Sequence, residues 1–450
     1  MYGGNPGNGQ PYAPSFQQLQ QQQQQQQFPP QFYQMPPQQM PPQSYYPQHP
    51  SQYLLPMNAM NPLANRPRME GEVIGQGSFG CIRVFTDMRT SHQLQFAQKT
   101  IQHVFQTLNS CRRVYREIKM LGELNHENLL CMHDFFRPRD NKFDKIDILT
   151  ELMETDLNRV LLGSQQELKP EHFKVFMYQI LRGLNYLHSG GIIHRDIKPH
   201  NILINTNCHA KICDFGFARI LNGANPNELM SHEVVTQYYR APEILMGART
   251  YNEKIDIWAA GCIFAEMMNR TILFEAESVM QQIEKIINLL GTPTDEQMAT
   301  VNAAARNHVK RMRPVRMKYE SFHAMCERSH YPQDCEEAYS LMVWLLQFDP
   351  TKRVTANEAL LYPYLAEGRN RYHTEICSCL RKSNTHDFEP ILNREAIRSK
   401  IADKDVERMS LLDLREELFQ YMRRYRLPPG TSQHLFAEST EIHDFSQIIV

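Results

Sequence analysis

The sequence predicts an α+β protein in which a mainly antiparallel sheet with one helix precedes a mainly helical part. Its 450 residues leave room for two or three domain-sized units. The stretch "EGEVIGQGSFGCIRVF" alternates apolar and polar residues around glycines, which indicates strand, turn and strand. Further on, "KPEHFKVFMYQILRGLNYLHSGG" carries an apolar stripe at helical spacing, and "KIDIWAAGCIFAEMM" is apolar nearly all round, as in a buried helix.

The other elements follow the same division. "QLQFAQK" and "IDILTELM" predict two more strands, and "RRVYREIKMLGEL" predicts a helix between them with one apolar face. "VMQQIEKIINLLGTP" and "EEAYSLMVWLLQFDP" predict helices of the second part. After Leu365 the pattern weakens, and "SLLDLREELFQYMRRY" is the one good amphipathic helix there.

Composition excludes several classes of protein. Charged residues make up 22% of the chain and the formal net charge is −1, so we expect no direct nucleic-acid partner. No apolar run approaches the ~20 residues that a membrane-spanning helix needs, and polar residues follow Met1 where a signal peptide would be apolar. The 10 cysteines show no repeated spacing, as expected for a reduced, intracellular protein without membrane attachment.

Residues 1–66 are rich in Gln and Pro and contain an unbroken glutamine run, Gln20–Gln27. A segment with almost no charges and no apolar periodicity cannot bury enough surface to offset its ordering entropy. We therefore expect a disordered tail. Whether it is passive or self-associates, as in a dimer, stays open, because Gln-rich tracts with aromatic residues tend to associate.

Glycines at Gly75, Gly77 and Gly80 lie between two predicted strands. In a dinucleotide-binding unit a helix would follow them, so the pattern favours a lid over phosphate groups. Lys99 on the next strand and Glu117 on the helix would form an ion pair that positions ATP phosphates. Either residue alone would be read as an ordinary surface charge.

The stretch "HRDIKPHN" is the strongest signal for chemistry. Asp196 can accept the proton of an attacking hydroxyl, and Lys198 can neutralise a transferred phosphate. Asn201 and, further on, Asp214 of "DFG" supply oxygen ligands for Mg²⁺. Four such residues in this order indicate phosphoryl transfer.

From Met69 to Leu365 the chain resembles a eukaryotic protein kinase, and "LLGTP" and "FDPTKRVTANEALLYPYL" resemble the MAP-kinase-like branch. "ELMETDL", "KICDFGFAR", "EVVTQYYRAPEILMG" and "GRNRYHTEICSC" are most similar to the Nemo-like kinase family. The resemblance implies a bilobal kinase domain over 67–365, with an N-lobe at 67–150 and a C-lobe at 151–365. It also implies a C-terminal extension, 366–450, for docking or lobe packing, and ATP and Mg²⁺ as cofactors.

The resemblance assigns roles residue by residue. Thr150 would be the gatekeeper, and Glu151 and Met153 would lie in the adenine hinge. Lys99, Glu117, Asp196 and Lys198 would be catalytic, and Asn201 and Asp214 would hold the metal. The ATP site would comprise Ile74, Gly75, Gln76, Gly77, Ser78, Phe79, Gly80, Cys81, Ile82, Ala97, Lys99, Thr150, Glu151 and Met153.

Structural roles follow from the same resemblance. Glu243 would pair with Arg353, and Asp256 would brace the catalytic loop. Leu121, Phe215 and His194 would stack in one spine. Gln98, where the general motif has an apolar residue, is a small departure that touches no catalytic atom.

Substrates are expected to be proteins phosphorylated at Ser or Thr followed by Pro. In this branch Arg240 turns a backbone carbonyl away from the residue after the target, so an ordinary amide there would lose its partner while proline would not. The resemblance also implies TCF/LEF-type transcription factors in Wnt-related signalling, and a location in nucleus and cytoplasm. A scaffold that acts without catalysis is the alternative.

The stretch "SHEVVTQYYRAPE" bears on regulation. MAP kinases carry a T-x-Y switch whose threonine lies ten positions before the alanine of "APE", and that position here is Ser231. Thr236 would then be a catalytic residue of the substrate wall, with its hydroxyl near Asp196 and Lys198. Glu233 would stand in for the second phosphate and meet Arg240.

A cluster of Arg116, Arg195 and Arg219 should surround the position of Ser231. Because three guanidiniums around a neutral serine repel one another, we expect either a phosphate on Ser231 or another anion in the cluster. The phosphate would come from an upstream kinase or from autophosphorylation. Separately, Asp387 and Glu389 could form an acidic docking site for basic peptides.

Overall fold

A computed structural model describes residues 69–77, 80–87, 94–136, 138, 140–163, 168–221, 237–248, 250–329, 332–376, 389–401 and 406–425. The predicted tail 1–66, the loop tip Ser78 and Phe79, and the three positions Ser231, Glu233 and Thr236 lie outside these ranges. Among the helices within them, none is long and apolar enough to cross a bilayer.

A five-stranded antiparallel sheet forms the first part of the fold, in the order β1-β2-β3-β5-β4. Its strands are β1 Met69–Gly77, β2 Gly80–Asp87, β3 Leu94–Ile101, β4 Met132–Phe135 and β5 Ile146–Glu151. One helix, α1 Leu108–Glu123, follows β3. The hydroxyl of its N-cap, Thr107, accepts from the Ser110 amide at 3.1 Å and so satisfies one of the free donors at the helix start. This confirms the predicted sheet with one helix.

The second part is mainly helical, as predicted. Its helices are α2 Leu157–Gly163, α3 Pro170–Ser189, α4 Pro242–Leu245, α5 Lys254–Asn269, α6 Val279–Leu290, α7 Ala303–Arg311, α8 Tyr319–Ser329, α9 Cys335–Leu345 and α10 Ala356–Leu360. Helix α3 begins at a proline, whose fixed φ suits the first turn. Helix α5 is buried from Ile255 to Met268, in agreement with its apolar sequence.

Short strands shape the surface where the helical part faces the sheet. β6 Thr155–Asp156, β8 Ile202–Ile204 and β9 Ala210–Ile212 form one small sheet, and β7 Ile192–Ile193 pairs with β10 Arg219–Ile220. The loop after β7 carries Asp196, Lys198 and Asn201, and the loop after β9 carries Asp214. The pairing of these short strands therefore holds those loops next to one another.

The C-terminal extension packs on both parts. Helix α11 Ala366–Arg371 packs on α3, whereas α12 Arg394–Ile401 and α13 Leu411–Arg424 pack on α1. Helix α13 is the amphipathic helix expected from the sequence, and its Leu414, Leu418 and Met422 are buried. Helices α12 and α13 of the extension thus cover part of the surface of α1.

Candidate active site

The glycine-containing turn joins β1 to β2, with Gly77 opposite Gly80. A Cβ at Gly80 would overlap the carbonyl oxygen of Thr100 on β3, so only glycine lets the start of β2 lie this close to its neighbour. Gly75 packs against Ile82 of the paired strand. Because Gly75, Gly77 and Gly80 have no side chains, the backbone at these ends of β1 and β2 could approach and cover phosphate groups.

Lys99 on β3 and Glu117 on α1 form a direct ion pair between Nζ and Oε1. Burial disfavours the charged form of Lys99, but the carboxylates of Glu117 and Asp214 outweigh it and raise the pKa of Lys99 above its ordinary value. The lysine is therefore cationic at neutral pH and is aimed at the same space as Asp214.

The loop after β7 assembles the group around Asp196. Lys198 Nζ lies 2.8 Å from Asp196 Oδ2, and Asn201 Nδ2 donates to the same oxygen at 3.0 Å and to the Asp196 carbonyl at 2.8 Å. Burial raises the pKa of Asp196, and the nearby Lys198 opposes that shift. A carboxylate that is both more basic and held in place is suited to orient and accept a hydroxyl proton.

Asp256, at the start of α5, braces this loop from beneath. Its carboxylate accepts from the backbone amides of His194 at 2.9 Å and Arg195 at 2.8 Å, and pairs with His188 Nε2 at 2.9 Å. Burial alone would raise the pKa of Asp256, but these hydrogen bonds and the nearby histidines lower it. Arg195 has φ of 71°, in the left-handed region that costs a non-glycine residue energy, and the Asp256 contact helps hold it there.

Asp214 lies in the left-handed region with φ of 64°, and its Oδ1 accepts from the Gly216 amide at 3.4 Å. Phe215 is fully buried and meets the His194 ring edge-on at 5.4 Å between centroids. The turn Phe215–Phe217 packs against α1, where Leu121 is also buried. Phe215 thus links the segment around Asp214 to the loop around Asp196, and the turn that contains it packs on α1, the helix of Leu121.

Asn201 and Asp214 offer an amide oxygen and a carboxylate, the hard oxygen ligands that Mg²⁺ prefers. Both amide hydrogens of Asn201 serve contacts to Asp196, which leaves the side-chain oxygen as an acceptor. Within the described ranges no three acidic, His or Cys side chains gather into a metal-binding group. Mg²⁺ is commonly held by one or two protein side chains together with substrate phosphates, and Asn201 and Asp214 would supply two such ligands.

The expected hinge is at the end of β5. Thr150 is buried and pairs with Ala97 across the sheet. The Glu151 carboxylate turns away to accept from the Cys131 amide at 2.8 Å and to pair with Lys211 at 3.0 Å. Only the backbone of Glu151 is thus suited to contact an adenine ring, while its side chain ties the two parts of the fold together.

Glu243 and Arg353 form the expected pair, fully buried, with contacts of 2.9 and 3.1 Å. Two parallel hydrogen bonds of this kind fix both partners. Arg353 also donates to the Lys254 carbonyl at 2.8 Å, so the pair links α4 to the start of α5.

The arginine cluster holds an anion that sequence reasoning did not identify. Arg116 donates to Glu407 Oε1 in the C-terminal extension, and Arg219 Nη2 lies 3.5 Å from the same oxygen. Arg112, which was not predicted, lies 3.2 Å from Glu407 Oε2. Its position one turn before Arg116 on α1 was the available signal. Arg195 lies over the Tyr251 ring at 5.6 Å, and no contact to Glu407 is seen for it in the described residues.

One further side chain, Glu389, has partners that were not expected from the sequence. Glu389 accepts from Tyr178 and lies 3.4 Å from Arg182, so its carboxylate is already engaged within the fold, which argues against a free docking residue. Its expected companion Asp387 lies outside the described residues.

Comparison with known proteins agrees with this geometry. Residues 69–365 match the family model "Protein kinase domain". The chain is 48% identical over 324 residues to serine/threonine-protein kinase NLK2 of Xenopus laevis, covering 70% of each chain. It is 45% identical over 360 residues to serine/threonine kinase NLK of Caenorhabditis elegans, which is 78% of this chain and 55% of the relative. It is 40% identical over 297 residues to mitogen-activated protein kinase 13 of Arabidopsis thaliana, covering 66% of this chain and 78% of the relative. The chain belongs to the protein kinase family, among the serine/threonine kinases related to NLK.

Proposed function

We propose that the chain is an active Ser/Thr protein kinase that transfers the γ-phosphate of ATP to protein substrates. The observation that supports this best is the closed ion pair of Lys99 and Glu117 beside an intact group of Asp196, Lys198, Asn201 and Asp214. A scaffold without catalysis would not need these side chains held together, since several of them are buried at a cost in desolvation.

The chemistry requires positioning and charge neutralisation more than covalent steps. Lys99, held by Glu117, would bind the phosphates of ATP. Asp196 orients the substrate hydroxyl and takes its proton, and Lys198 neutralises charge on the transferred group. Mg²⁺ held by Asn201 and Asp214 would add charge neutralisation at the phosphate oxygens.

Catalysis is tested with the full chain carrying Lys99→Met or Asp196→Asn. We expect a loss of at least about 100-fold in transfer rate from either change, because each removes a group that acts directly on the reacting phosphate or hydroxyl. Lys352→Met, at an exposed lysine of the helical part, is the matched control and should keep full activity. Near-normal transfer by both active-site variants would reject the proposal and leave a scaffold as the better reading.

Substrates are proposed to carry proline after the target Ser or Thr. Support comes from Arg240, which lies with Arg195, Asp196 and Ala241 around a pocket beside the catalytic loop. Burial lowers the pKa of Arg240 and the Asp196 carboxylate opposes that shift, as expected for an arginine held near the reacting groups. A peptide library in which the position after the target shows no preference for proline would contradict this part of the proposal.

The physiological substrates of the kinase are proposed from family resemblance. We propose transcription regulators of the TCF/LEF type in Wnt-related signalling, in nucleus and cytoplasm, on family resemblance. A Thr150→Gly variant that accepts enlarged ATP analogues would label direct substrates in cells. Thr150 is buried on β5. The resemblance makes it the gatekeeper, so its truncation would open space in the ATP site. Labelled proteins without such regulators, or without proline at the modified sites, would redirect the assignment.

A further inference from the structure

The carboxylate of Glu407 is bound in a site built by three guanidiniums from two parts of the fold. Arg112 and Arg116 come from α1, and Arg219 comes from β10. The Arg116 side chain is only 2% exposed, whereas that of Glu407 is 40% exposed. Arg112 also clamps the backbone around the anion: its Nε donates to the Val406 carbonyl at 3.1 Å and its Nη2 to the Glu407 carbonyl at 2.6 Å.

The surroundings are strongly cationic. Arg113, the next residue on α1, lies over the Phe217 ring at 4.3 Å. Burial lowers the pKa of Arg113, Asp214 opposes the shift, and Arg116 and Arg195 add to it. Guanidiniums gathered this closely repel one another unless an anion lies among them. Glu407 supplies such an anion, from a segment 291 residues away in sequence from Arg116.

The position of the contact relates it to catalysis. Arg116 and Glu117 are adjacent on α1, so their side chains leave the helix roughly 100° apart. A helix held at Arg116 by Glu407 is therefore fixed in rotation, with Glu117 directed at Lys99. On the other side, Arg219 pairs with Ile193, the residue before His194 and the catalytic loop. One carboxylate thus joins the helix of the first part to the strand that supports the catalytic loop.

The extension is well anchored around Glu407. Val406 is 1% exposed, and Ile401 and Leu414, before and after it, are fully buried. Lys400 of α12 pairs with Glu123 at the end of α1 at 3.0 Å. Packing on both sides delivers Glu407 to the arginines without requiring any chemical modification.

We propose that Glu407 is a positioning residue of the kinase, an internal anion that fills the arginine cluster and holds α1 in its catalytic orientation without phosphorylation. The inference rests on the proposed kinase function. It predicts that activity in the unphosphorylated chain depends on Glu407 and not on a phosphate at Ser231. It also means that the C-terminal extension is required for catalysis.

The test uses the full chain after phosphatase treatment, with intact mass confirming that no phosphate remains. Glu407→Gln keeps the shape and removes the charge, and Glu407→Asp keeps the charge on a shorter side chain. Glu395→Gln, at an exposed glutamate of the same extension, is the matched control. Thermal melting of each variant is recorded, so that loss of fold is separated from loss of activity.

We expect the wild-type chain, Glu395→Gln and Ser231→Ala to be equally active. Glu407→Gln should lose about 10- to 100-fold in kcat, the factor expected when a hydrogen bond between charged groups is lost, and Glu407→Asp should fall between. Glu407→Ala should regain part of its activity in sodium sulfate relative to sodium chloride at equal ionic strength, because a small anion can enter the cluster. A purely structural role of Glu407 would give no such recovery.

The outcomes separate this inference from the kinase function itself. If neither the phosphorylated nor the treated wild-type chain transfers phosphate, the proposed function fails first. If the treated wild-type chain is active but Glu407→Gln matches Glu395→Gln, Glu407 has no positioning role. Loss of activity in Ser231→Ala with Glu407 intact would equally overturn the inference, because it would show that a phosphate is needed.

Discussion

Gly122 of α1 lies against Tyr421 and Tyr425 of the C-terminal extension, and its replacement by Ala should weaken the contact. A Cβ built at Gly122 would overlap the hydroxyl oxygen of Tyr421 and lie 2.9 Å from Tyr425 Cε2 and 3.1 Å from Met132 Cε. The Tyr421 ring is confined by Lys119 Nζ, 4.2 Å from its centroid, and cannot retreat freely. Two aromatic rings and a methionine would have to move together.

Two effects of opposite sign set the magnitude. Overpacking of a filled contact costs about 1–3 kcal/mol, and three obstructed directions place this case near the upper end. Ala is better than Gly within a helix by about 1 kcal/mol, which favours the variant. The expected net loss of stability is therefore about 2 kcal/mol.

The assay is thermal and denaturant unfolding of Gly122→Ala, with amide hydrogen exchange to locate the effect. Exchange should rise in α13, Leu411–Arg424, because the damage lies where that helix meets α1. Gly122→Ala combined with Tyr421→Phe should recover part of the loss, since the nearest obstacle is removed while Tyr425 stays; Tyr421→Phe alone gives the baseline. A Gly122→Ala variant that melts at or above the wild-type temperature, with unchanged exchange in α13, would show that the added methyl group does not overpack this contact.

Three further changes give expected outcomes that can be measured directly. Arg353→Met leaves buried Glu243 without its partner and should lower the free energy of unfolding in denaturant by about 3–5 kcal/mol. Adding Glu243→Gln should restore much of this loss. If the effects of the two changes simply add, the two residues are not coupled. Asp256→Asn removes a carboxylate whose pKa is lowered in the fold, so its stabilisation is present above the unfolded pKa of about 4 and is lost as pH falls through the folded pKa. The wild-type advantage over Asp256→Asn should therefore be largest near neutral pH and shrink in acid, and a difference that does not vary with pH would reject this account. Gly368→Ala should cost more than Gly122→Ala, because its Cβ would overlap the Lys174 carbonyl of α3, and backbone gives way less easily than a side chain; an equal or higher melting temperature would contradict it.

Much of the architecture follows from local patterns. The alternation around the glycines, the apolar stripe of α3 and the all-apolar α5 each report burial on one face or on all faces, which is a property of a few consecutive residues. The candidate catalytic and metal-binding residues of the loop after β7 were predicted in the same way, since Asp196, Lys198 and Asn201 occur within one short loop.

The contacts of two glutamate side chains could not be predicted from the sequence. The hinge position predicted for Glu151 left its side chain unassigned, and its carboxylate contacts Cys131 and Lys211, which separate elements bring there. Glu389 was considered as part of a possible docking site, and it is engaged by Tyr178 and Arg182 on α3. Either outcome depends on neighbours far away in sequence.

The arginine cluster separates what could be predicted from sequence and what required the fold. The family resemblance placed Arg116, Arg195 and Arg219 in one cluster, and their like charges were enough to predict that an anion lies among them. The fold shows that Glu407 provides this anion and that Arg112 also contacts it. Arg116 and Glu407 are 291 residues apart in sequence, and the packing of α12 and α13 on α1 brings them together, which no periodicity within either segment encodes.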